Sequence, residues 1–536
     1  MARNSRTEAC SQSLAVTIGR NTLLGVIANV VQVCARLVTV PIVIQYLGLE
    51  GYGIWSVLMS IAAYMSLGGA GVKSAFQKYA AEATGSGDYD RACKLITTGT
   101  VLILLISTTL LIPVALFSSE LATSVGVPLR FAESAGRAIW VLAFMAIPMN
   151  VGQSYQAILM GAHRIDLQRK LAISTVLAQS ILTILLLRFG FGLVAMAVVF
   201  GSTEIGNSIC CLVLSRRIVP AIQLAPRHLS KAVLRDLTTF GGSYQLVSIL
   251  EALYTAILPV AILKFYGASE AGILALANRV VAAASLPQGA LLQPLLTGGS
   301  FVYASSSSET MRLFFIKAFK AMLAISLTPL AFVACFGSMI VLVWTGQSAP
   351  TLRPILWLLC LSGLFRSFSS LTRVFYRVSG RSVMDNVQLL SMLVILACVC
   401  TLGQQIAPIG MIAGAVLAQL VGMVLIWLTF TAISPGLAMR NLMPEFLRFA
   451  IATAGILASA AMAVLIFTPL DRGPRSQAGI QLGVALLVGL AVTGPALLLT
   501  RSVSRSEVRI VVNTLRGMGG TRVSPYPNGQ TVPSPL

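Results

Sequence analysis

The sequence predicts an all-α polytopic membrane protein with about 14 transmembrane helices, arranged as two six-helix lobes around a central cavity plus two extra C-terminal helices. Composition is the first reason for the membrane assignment. Hydrophobic residues make up 56% of the chain and charged residues only 10%, whereas about 25% of the residues of a soluble domain are charged. The second reason is that apolar runs of about 20 residues, each long enough to cross a bilayer, recur almost from end to end.

The predicted spans follow one another too closely for a separate soluble domain. In order they are about 21–45, 52–72, 95–117, 137–159, 171–189, 192–214, 238–263, 273–299, 321–343, 354–376, 387–403, 409–431, 449–468 and 479–499. They divide the chain into a cytoplasmic N-terminus (1–16), an N-lobe of spans 1–6 (17–237), a C-lobe of spans 7–12 (238–448), spans 13 and 14 (449–499) and a cytoplasmic tail (500–536). The tail is rich in Gly, Pro and Ser after about residue 517, and we expect part of it to be disordered.

Basic residues set the predicted orientation. With both termini on one side, that side holds 27 of the 38 lysines and arginines, and such a bias marks the cytoplasmic face of an inner membrane. The net charge of +21 is therefore an orientation signal, and no nucleic-acid partner is expected. None of the nine cysteines falls in an outside loop, so no disulfide is predicted.

A short repeat links the two halves of the chain. A shift of 219 residues superposes Gly48 on Gly267 and Gly53 on Gly272. A match of this length can also arise by chance. The same shift superposes two polar stripes, each confined to one helical face by its i, i+4, i+7, i+11 spacing: Gly25, Asn29, Gln32 and Arg36 in span 1, and Tyr244, Ser248, Glu251 and Thr255 in span 7. Two related lobes that share a polar interior would explain both stripes.

Five arginines lie inside the predicted spans: Arg36, Arg137, Arg279, Arg366 and Arg373. A guanidinium in hydrocarbon costs roughly 2.5–3.5 kcal/mol on insertion scales, and it stays charged at physiological pH. Each arginine therefore lines a polar cavity, joins an ion pair or reaches the interface. Span 10 carries a third stripe, formed by Ser362, Arg366, Ser369, Ser370 and Arg373.

These alternatives differ with depth. Arg137 and Arg373 lie near span ends, which favours snorkelling to the headgroups, whereas the deeper Arg36 and Arg366 favour cavity lining. Arg279 either lines the cavity or pairs with Glu251. Glu251 itself is either a site for a coupling ion or a structural partner of an arginine, and Glu204 in span 6 favours a structural role.

Several motifs resemble those of the polysaccharide-transporter (Wzx-type) flippases of bacteria, whose superfamily also holds multidrug-and-toxin extruders and lipid II flippases. They are a polar first span that ends at Pro41, the run Tyr46-Leu-Gly-Leu-Glu-Gly-Tyr-Gly53-Ile-Trp55, the glycine-rich Leu67-Gly-Gly-Ala-Gly71, and Gly161-Ala-His-Arg164. The resemblance implies two six-helix lobes that work by alternating access. It also implies a polyprenyl-pyrophosphate-linked oligosaccharide as substrate, membrane lipid as surroundings and other polysaccharide assembly proteins as partners.

The residues select among the functions of that superfamily. An anionic pyrophosphate suits arginine, which binds it through forked, charge-assisted hydrogen bonds, whereas extruders of cationic drugs need carboxylates. We therefore expect Arg36, Arg279 and Arg366 to hold the pyrophosphate and Glu251 to bind a coupling H+ or Na+. The expected polar lining of the cavity is Asn29, Gln32, Ser248, Ser362 and Ser370.

Three alternatives stay open: a lipid II flippase, a cation-coupled multidrug-type exporter, and a membrane-embedded glycan polymerase or ligase. The sequence favours a protein that is not an enzyme, because its longest outside loop, at about 118–136, has no histidine and little room for an acceptor. No catalytic residue, cofactor or metal site is predicted.

Overall fold

A backbone that crosses hydrocarbon must satisfy its hydrogen bonds within its own segment, so long apolar runs fold as helices. The computed structural model describes residues 2–66, 89–161, 164–218, 225–289, 308–379, 383–403, 405–433, 439–467 and 474–500, with a few residues between 291 and 299. The helices in these ranges are α1 Ala2–Met65, α2 Tyr89–Leu116, α3 Ser118–Ser124, α4 Leu129–Gly161, α5 Ile165–Arg188, α6 Leu193–Ile218, α7 Lys231–Tyr266, α8 Ala268–Ala284, α9 Ser308–Thr345, α10 Leu352–Val378, α11 Val383–Thr401, α12 Pro408–Ile433, α13 Met439–Phe467 and α14 Pro474–Leu499, with a 3-10 turn at Pro226–His228.

Twelve helices in the described ranges are long and apolar enough to cross a membrane. This confirms the predicted all-α polytopic membrane protein. The number is smaller than 14 for two reasons. Predicted spans 1 and 2 both lie in α1, which is kinked between them. Predicted span 8 corresponds to α8, which is 17 residues long, and the chain beyond residue 289 is only partly described.

Two glycines bend the chain at matching positions of the repeat. Gly48 interrupts α1 with φ 71° and ψ 173°, and Gly267 separates α7 from α8 with φ 90° and ψ 176°. Glycine adopts positive φ readily because it has no Cβ. The 219-residue match of these two glycines in the sequence is therefore also a match of backbone conformation.

The second pair of matching glycines allows two helices to touch through their backbones. A Cβ atom added to Gly53 would lie 2.2 Å from the Ala268 carbonyl oxygen and 2.6 Å from the Gly272 nitrogen. One added to Gly272 would lie 2.4 Å from the Leu49 carbonyl oxygen. Both positions thus need glycine, because the atoms in the way belong to backbone that cannot rotate aside.

The chain divides into two compact units. The first consists of Met1–Leu47, Leu58–Ile249 and Val512–Leu536, and the second of Gly48–Val57 and Leu250–Val511. The short segment Gly48–Val57 belongs to the second unit because α1 meets α8 there, at the glycine contact.

In the first unit, α4 is joined to its neighbours by a buried amide. Asn150, whose exposed fraction is 0%, donates from Nδ2 to the Met65 carbonyl at 2.8 Å and to the Ser107 hydroxyl at 3.0 Å. These bonds link α4 to the end of α1 and to α2. An apolar cluster continues the packing with Ile96, Tyr155, Ile158, Leu159 and Cys211.

In the second unit, an aromatic cluster fills the space between α9, α10 and α12. The ring of Phe315 lies 4.6 Å from that of Phe375, 5.2 Å from that of Phe430 and 6.1 Å from that of Trp427, measured between centroids. Aromatic pairs at these separations stabilise a fold beyond the burial of their area. The cluster therefore fixes α10, the helix that carries Arg366.

Helices α13 and α14, which correspond to predicted spans 13 and 14, pack against α9. The hydroxyls of Thr328 and Thr453 are hydrogen-bonded at 3.2 Å, and Phe336 is buried in one cluster with residues of both added helices. At the far end of α9, Arg475 donates from Nε and an Nη to the Val343 carbonyl, each at 3.1 Å. A guanidinium in this position satisfies carbonyls that a helix end otherwise leaves unpaired.

Candidate functional site

Acids neutralise at least two of the intramembrane arginines, Arg137 and Arg373. Arg137 forms an exposed ion pair with Glu133, one turn earlier on α4. Arg373 lies 3.6 Å from Asp385 on α11, and Arg377 lies 2.7 Å from the same carboxylate. Arg373 thus takes part in an ion-pair network inside the protein. The sequence interpretation did not consider Asp385 as its partner. Neither arginine offers its full charge to a ligand.

Asp385 has a counterpart in the first unit. Asp166 lies 219 residues earlier, in the first turn of α5, just as Asp385 lies in the first turn of α11. The exposed fraction of Asp166 is 6% and that of Asp385 is 1%. Asp166 forms an ion pair with Arg164 at 3.3 Å. The sequence interpretation missed both, although the same 219-residue shift could have found them. A buried carboxylate is stable only when it is paired.

A second pair of acids is also separated by 219 residues: Asp90 lies in the first turn of α2 and Glu309 in the first turn of α9. Asp90 accepts a hydrogen bond from Lys94 at 2.6 Å, and Glu309 accepts one from Arg312 at 2.6 Å. Asp90 lies outside the spanning segment, and the bond from Lys94 holds its pKa below the usual value. Acids in the first turn also favour a helix through its dipole. These residues organise helix ends, and the structure gives them no part in a binding site.

Three ionisable side chains that the sequence places deep in its predicted spans are exposed in the described part of the second unit. They are Glu251 on α7, Arg279 on α8 and Arg366 on α10. Among the residues that the structure describes, Glu251 and Arg279 do not form the ion pair that the sequence allowed, and Arg366 has no acidic partner. In a bilayer such groups need a polar cavity or a ligand, because exposure to hydrocarbon is too costly. These three residues make up the candidate site of the second unit.

Tyr254 was missed by the sequence interpretation and joins this candidate site. It lies three residues after Glu251 on α7, and its hydroxyl is 3.4 Å from the Ala415 carbonyl and 3.3 Å from Oε1 of Gln419, both on α12. Gln419 has an exposed fraction of only 3%. Tyr254 falls outside the i, i+4, i+7, i+11 spacing that defines the polar stripe of α7, which is why the stripe did not include it.

The serines of α10 divide into two groups. Ser367 and Ser369 donate to carbonyls of their own helix, at 2.8 Å and 3.0 Å, and both are buried. Ser362 and Ser370, the two that the sequence assigned to the cavity, are partly exposed. A serine bonded back to its own helix has little left to offer a ligand. Only part of the third stripe can therefore face a cavity.

The first unit contributes fewer described side chains to the predicted site. Arg36 is exposed on α1, and Gln32, one turn earlier, is partly buried. The side chains of Asn29 and Ser248 lie outside the described part of the structure. Each unit thus carries at least one exposed intramembrane arginine.

A family of known proteins matches about half of the chain. Residues 18–294, more than half of the chain, match the family model described as polysaccharide biosynthesis protein. The chain belongs to the polysaccharide biosynthesis protein family. No curated protein sequence matches it at a significant level.

Several solved structures, of transporters and of a flippase, are similar to this chain in fold. A multidrug resistance MATE family transporter of the MOP superfamily, in its inward-facing conformation, matches with a TM-score of 0.58 at 20% identity over 76% of this chain and 100% of the other. A MOP superfamily transporter from Pyrococcus furiosus matches with a TM-score of 0.59 at 16% identity over 79% and 96%. The lipid II flippase MurJ, in an inward closed conformation, matches with a TM-score of 0.67 at 13% identity over 89% and 98%. At these identities the likeness establishes the fold.

Proposed function

We propose that the chain is a flippase that moves a polyprenyl-pyrophosphate-linked oligosaccharide across the inner membrane by alternating access. The observation that carries this proposal is the match of residues 18–294 to the polysaccharide biosynthesis protein family, combined with a transporter fold. In this proposal the lobes are 17–237 and 238–448, and both termini are cytoplasmic. The glycan is then delivered, for surface or exopolysaccharide assembly, to other assembly proteins.

The exposed arginines support an anionic substrate. Arg366 and Arg279 reach the surface of the second unit without an acidic partner among the described residues, and Arg36 is exposed in the first. We assign the pyrophosphate to these three guanidinium groups, because paired N–H donors match phosphate oxygens in geometry and charge. Glu251, also exposed, is assigned to a coupling H+ or Na+. Gln32, Ser362 and Ser370 are assigned to sugar hydroxyls, with Asn29 and Ser248.

Lipid II transport is the second candidate, because the MurJ fold matches over 89% of this chain. Lipid II is also a lipid-linked glycan pyrophosphate, so the arginine argument does not separate the two substrates. An exporter of cationic drugs is less well supported, since such a cargo needs carboxylates and Glu251 is the exposed acid of the candidate site. The Pyrococcus furiosus transporter is described as having a binding pocket of reverse polarity that suggests a different function, so this fold accommodates pockets of more than one polarity.

Deletion of the gene, followed by mass spectrometry of the lipid-linked glycans on each leaflet, tests the proposal. We expect an oligosaccharide on polyprenyl pyrophosphate to accumulate on the cytoplasmic leaflet. Accumulation of lipid II would establish the second candidate, and accumulation of neither would favour the exporter. Complementation with Arg366→Ala or Arg36→Ala should restore less surface polysaccharide than Arg137→Ala at equal protein level, since Arg137 already pairs with Glu133.

A further inference from the structure

An ion-pair network between α9 and α13 contains more cations than acids. Nζ of Lys320 on α9 lies 3.1 Å from Oε1 of Glu445 on α13. Nη1 of Arg448, one turn later on α13, lies 3.3 Å from the same oxygen. The other carboxylate oxygen, Oε2, is buried, so the two cations share a single oxygen. One carboxylate cancels only one of two positive charges, and the network therefore keeps a positive charge.

A third basic residue extends this network on α9. Lys317 lies three residues before Lys320, so both side chains project from the same side of the helix, and Lys317 is exposed. In the network itself, the side chain of Arg448 is 48% exposed, against 27% for Lys320 and 17% for Glu445. We call these four residues the α9–α13 cluster. The members that reach furthest into the surroundings, Lys317 and Arg448, are both basic.

The α9–α13 cluster lies at the depth of lipid headgroups. The stretch of α9 from Lys320 to its last residue, Thr345, is about 38 Å long. The stretch of α13 from Arg448 to its last residue, Phe467, is about 28 Å long. Since the hydrocarbon core of a bilayer is about 30 Å thick, both side chains reach its edge.

Next to the cluster, α13 has an exposed apolar face. Leu447 is 57% exposed and Ile451 is 56% exposed, and the exposed positions continue along the helix at Ala454, Gly455 and Ala458. These positions recur at helical spacing, so they form one face. The small residues leave room along this face for an acyl chain, and the basic side chains of the cluster lie at its end.

We propose that the α9–α13 cluster binds the headgroup of an anionic phospholipid, whose acyl chains lie along the exposed face of α13. The phosphate supplies the negative charge that the cluster lacks, and lysine binds phosphate as a point charge. Basic sites between spanning helices take anionic headgroups for this reason. The cluster belongs to α9 and α13, whereas the candidate substrate site of this unit lies on α7, α8 and α10. A lipid bound to both helices would hold α13 against α9.

Lipid binding to the purified full-length protein tests this proposal. Native mass spectrometry would compare dioleoyl phosphatidylglycerol with dioleoyl phosphatidylcholine, which has the same chains and no net charge. The cluster has two more cations than acids, so the wild type should bind phosphatidylglycerol about 25-fold more tightly. Lys317→Gln and Arg448→Gln each remove one positive charge near the phosphate. Each should weaken phosphatidylglycerol binding about fivefold and leave phosphatidylcholine binding unchanged.

Arg312→Gln is the matched control, because Arg312 is a basic residue of the same helix that Glu309 neutralises. It should bind phosphatidylglycerol as the wild type does. Glu445→Gln should act in the opposite direction and tighten binding by up to about fivefold, because it removes the acid of the cluster. Equal affinity of the wild type for the two lipids would overturn the proposal. So would wild-type affinity in both Lys317→Gln and Arg448→Gln, or weaker binding by a Glu445→Gln protein that unfolds at the wild-type temperature.

Other occupants of the cluster give different results. Inorganic phosphate that displaces phosphatidylglycerol at equal concentration would indicate a site for free phosphate. A dimer that is lost in Arg448→Gln would assign the exposed face of α13 to a second copy of the chain. Weaker binding of undecaprenyl pyrophosphate by Lys317→Gln and Arg448→Gln, with phosphatidylglycerol binding intact, would assign the cluster to the proposed substrate. Each of these three results would overturn the proposal and leave the proposed function standing.

Discussion

The two units of the chain differ in what one matching position of the repeat does. In the first unit, the amide of Asn150 is completely buried and bonded to two neighbouring helices. In the second unit, the equivalent position 219 residues later is Ser369, which bonds only to its own helix, while Arg366 on the same helix is exposed. The same position of the repeat thus joins helices in the first unit, whereas in the second unit it bonds within its own helix and an arginine three residues earlier is exposed.

The difference shows why polarity alone does not identify a cavity. A buried amide joins helices when its donors reach carbonyls of a neighbour, and membrane helices commonly use such bonds. A charged residue becomes a candidate ligand only when no acid neutralises it. Burial and partners therefore decide between the two roles, and substitutions can show whether each unit behaves as its contacts indicate.

The largest expected effect is that of Asp385→Ala, which should lower the free energy of unfolding by about 3–5 kcal/mol. That is the usual cost of breaking a buried pair, and here it leaves Arg373 without its carboxylate. Asp166→Ala, the matched change in the first unit, should cost less because its partner Arg164 is 44% exposed and reaches water. Thermal unfolding of both variants in one detergent gives the comparison. Equal losses of unfolding free energy would show that the two carboxylates stabilise the fold equally.

Gly53→Ala should follow, with a loss of about 2–3 kcal/mol, because the added Cβ meets backbone atoms of Ala268 and Gly272. Gly455→Ala is the control within the second unit, since a Cβ there meets no atom within 4 Å. Alanine should be neutral or stabilise the helix at that position by about 0.5–1 kcal/mol. Unfolding temperatures of the two variants measure the difference. A Gly53→Ala protein as stable as Gly455→Ala would mean that α1 and α8 do not touch through their backbones.

Much of this architecture could be predicted from the sequence. The positions of the apolar runs predict helices, since hydrocarbon permits few other structures, and Gly48 and Gly267 mark the bends because positive φ favours glycine. The partners of the polar residues could not be predicted in the same way. Whether Asn150 bonds to Met65 or Tyr254 to Gln419 depends on helix rotation and depth. A given helical periodicity in the sequence is compatible with several rotations of the helix about its axis and with several depths in the membrane.

Asn150→Ala in the first unit should lower the free energy of unfolding by about 2 kcal/mol, because it leaves the Met65 carbonyl and the Ser107 hydroxyl without their donor. Arg366→Gln in the second unit should change stability by less than about 0.5 kcal/mol, since the side chain is exposed. Transport should respond in the reverse order, with the larger loss for Arg366→Gln. Thermal unfolding and surface polysaccharide, measured on the same preparations, give both values. The comparison fails if Arg366→Gln destabilises the protein as much as Asn150→Ala does.

The smallest expected effect separates intramembrane arginines that already have an exposed partner from those that do not. Arg137 and Glu133 are 70% and 78% exposed and lie four residues apart on α4. Exposed pairs of this spacing contribute about 0.3–0.5 kcal/mol. Arg137→Gln should therefore shift unfolding by no more than that and leave transport unchanged. An arginine in a spanning segment would then be unimportant for transport when an acid one turn away neutralises it. A tenfold loss of transport in Arg137→Gln would contradict this. It would show that an arginine can be needed for transport because of its position in a span, even when an acid neutralises it.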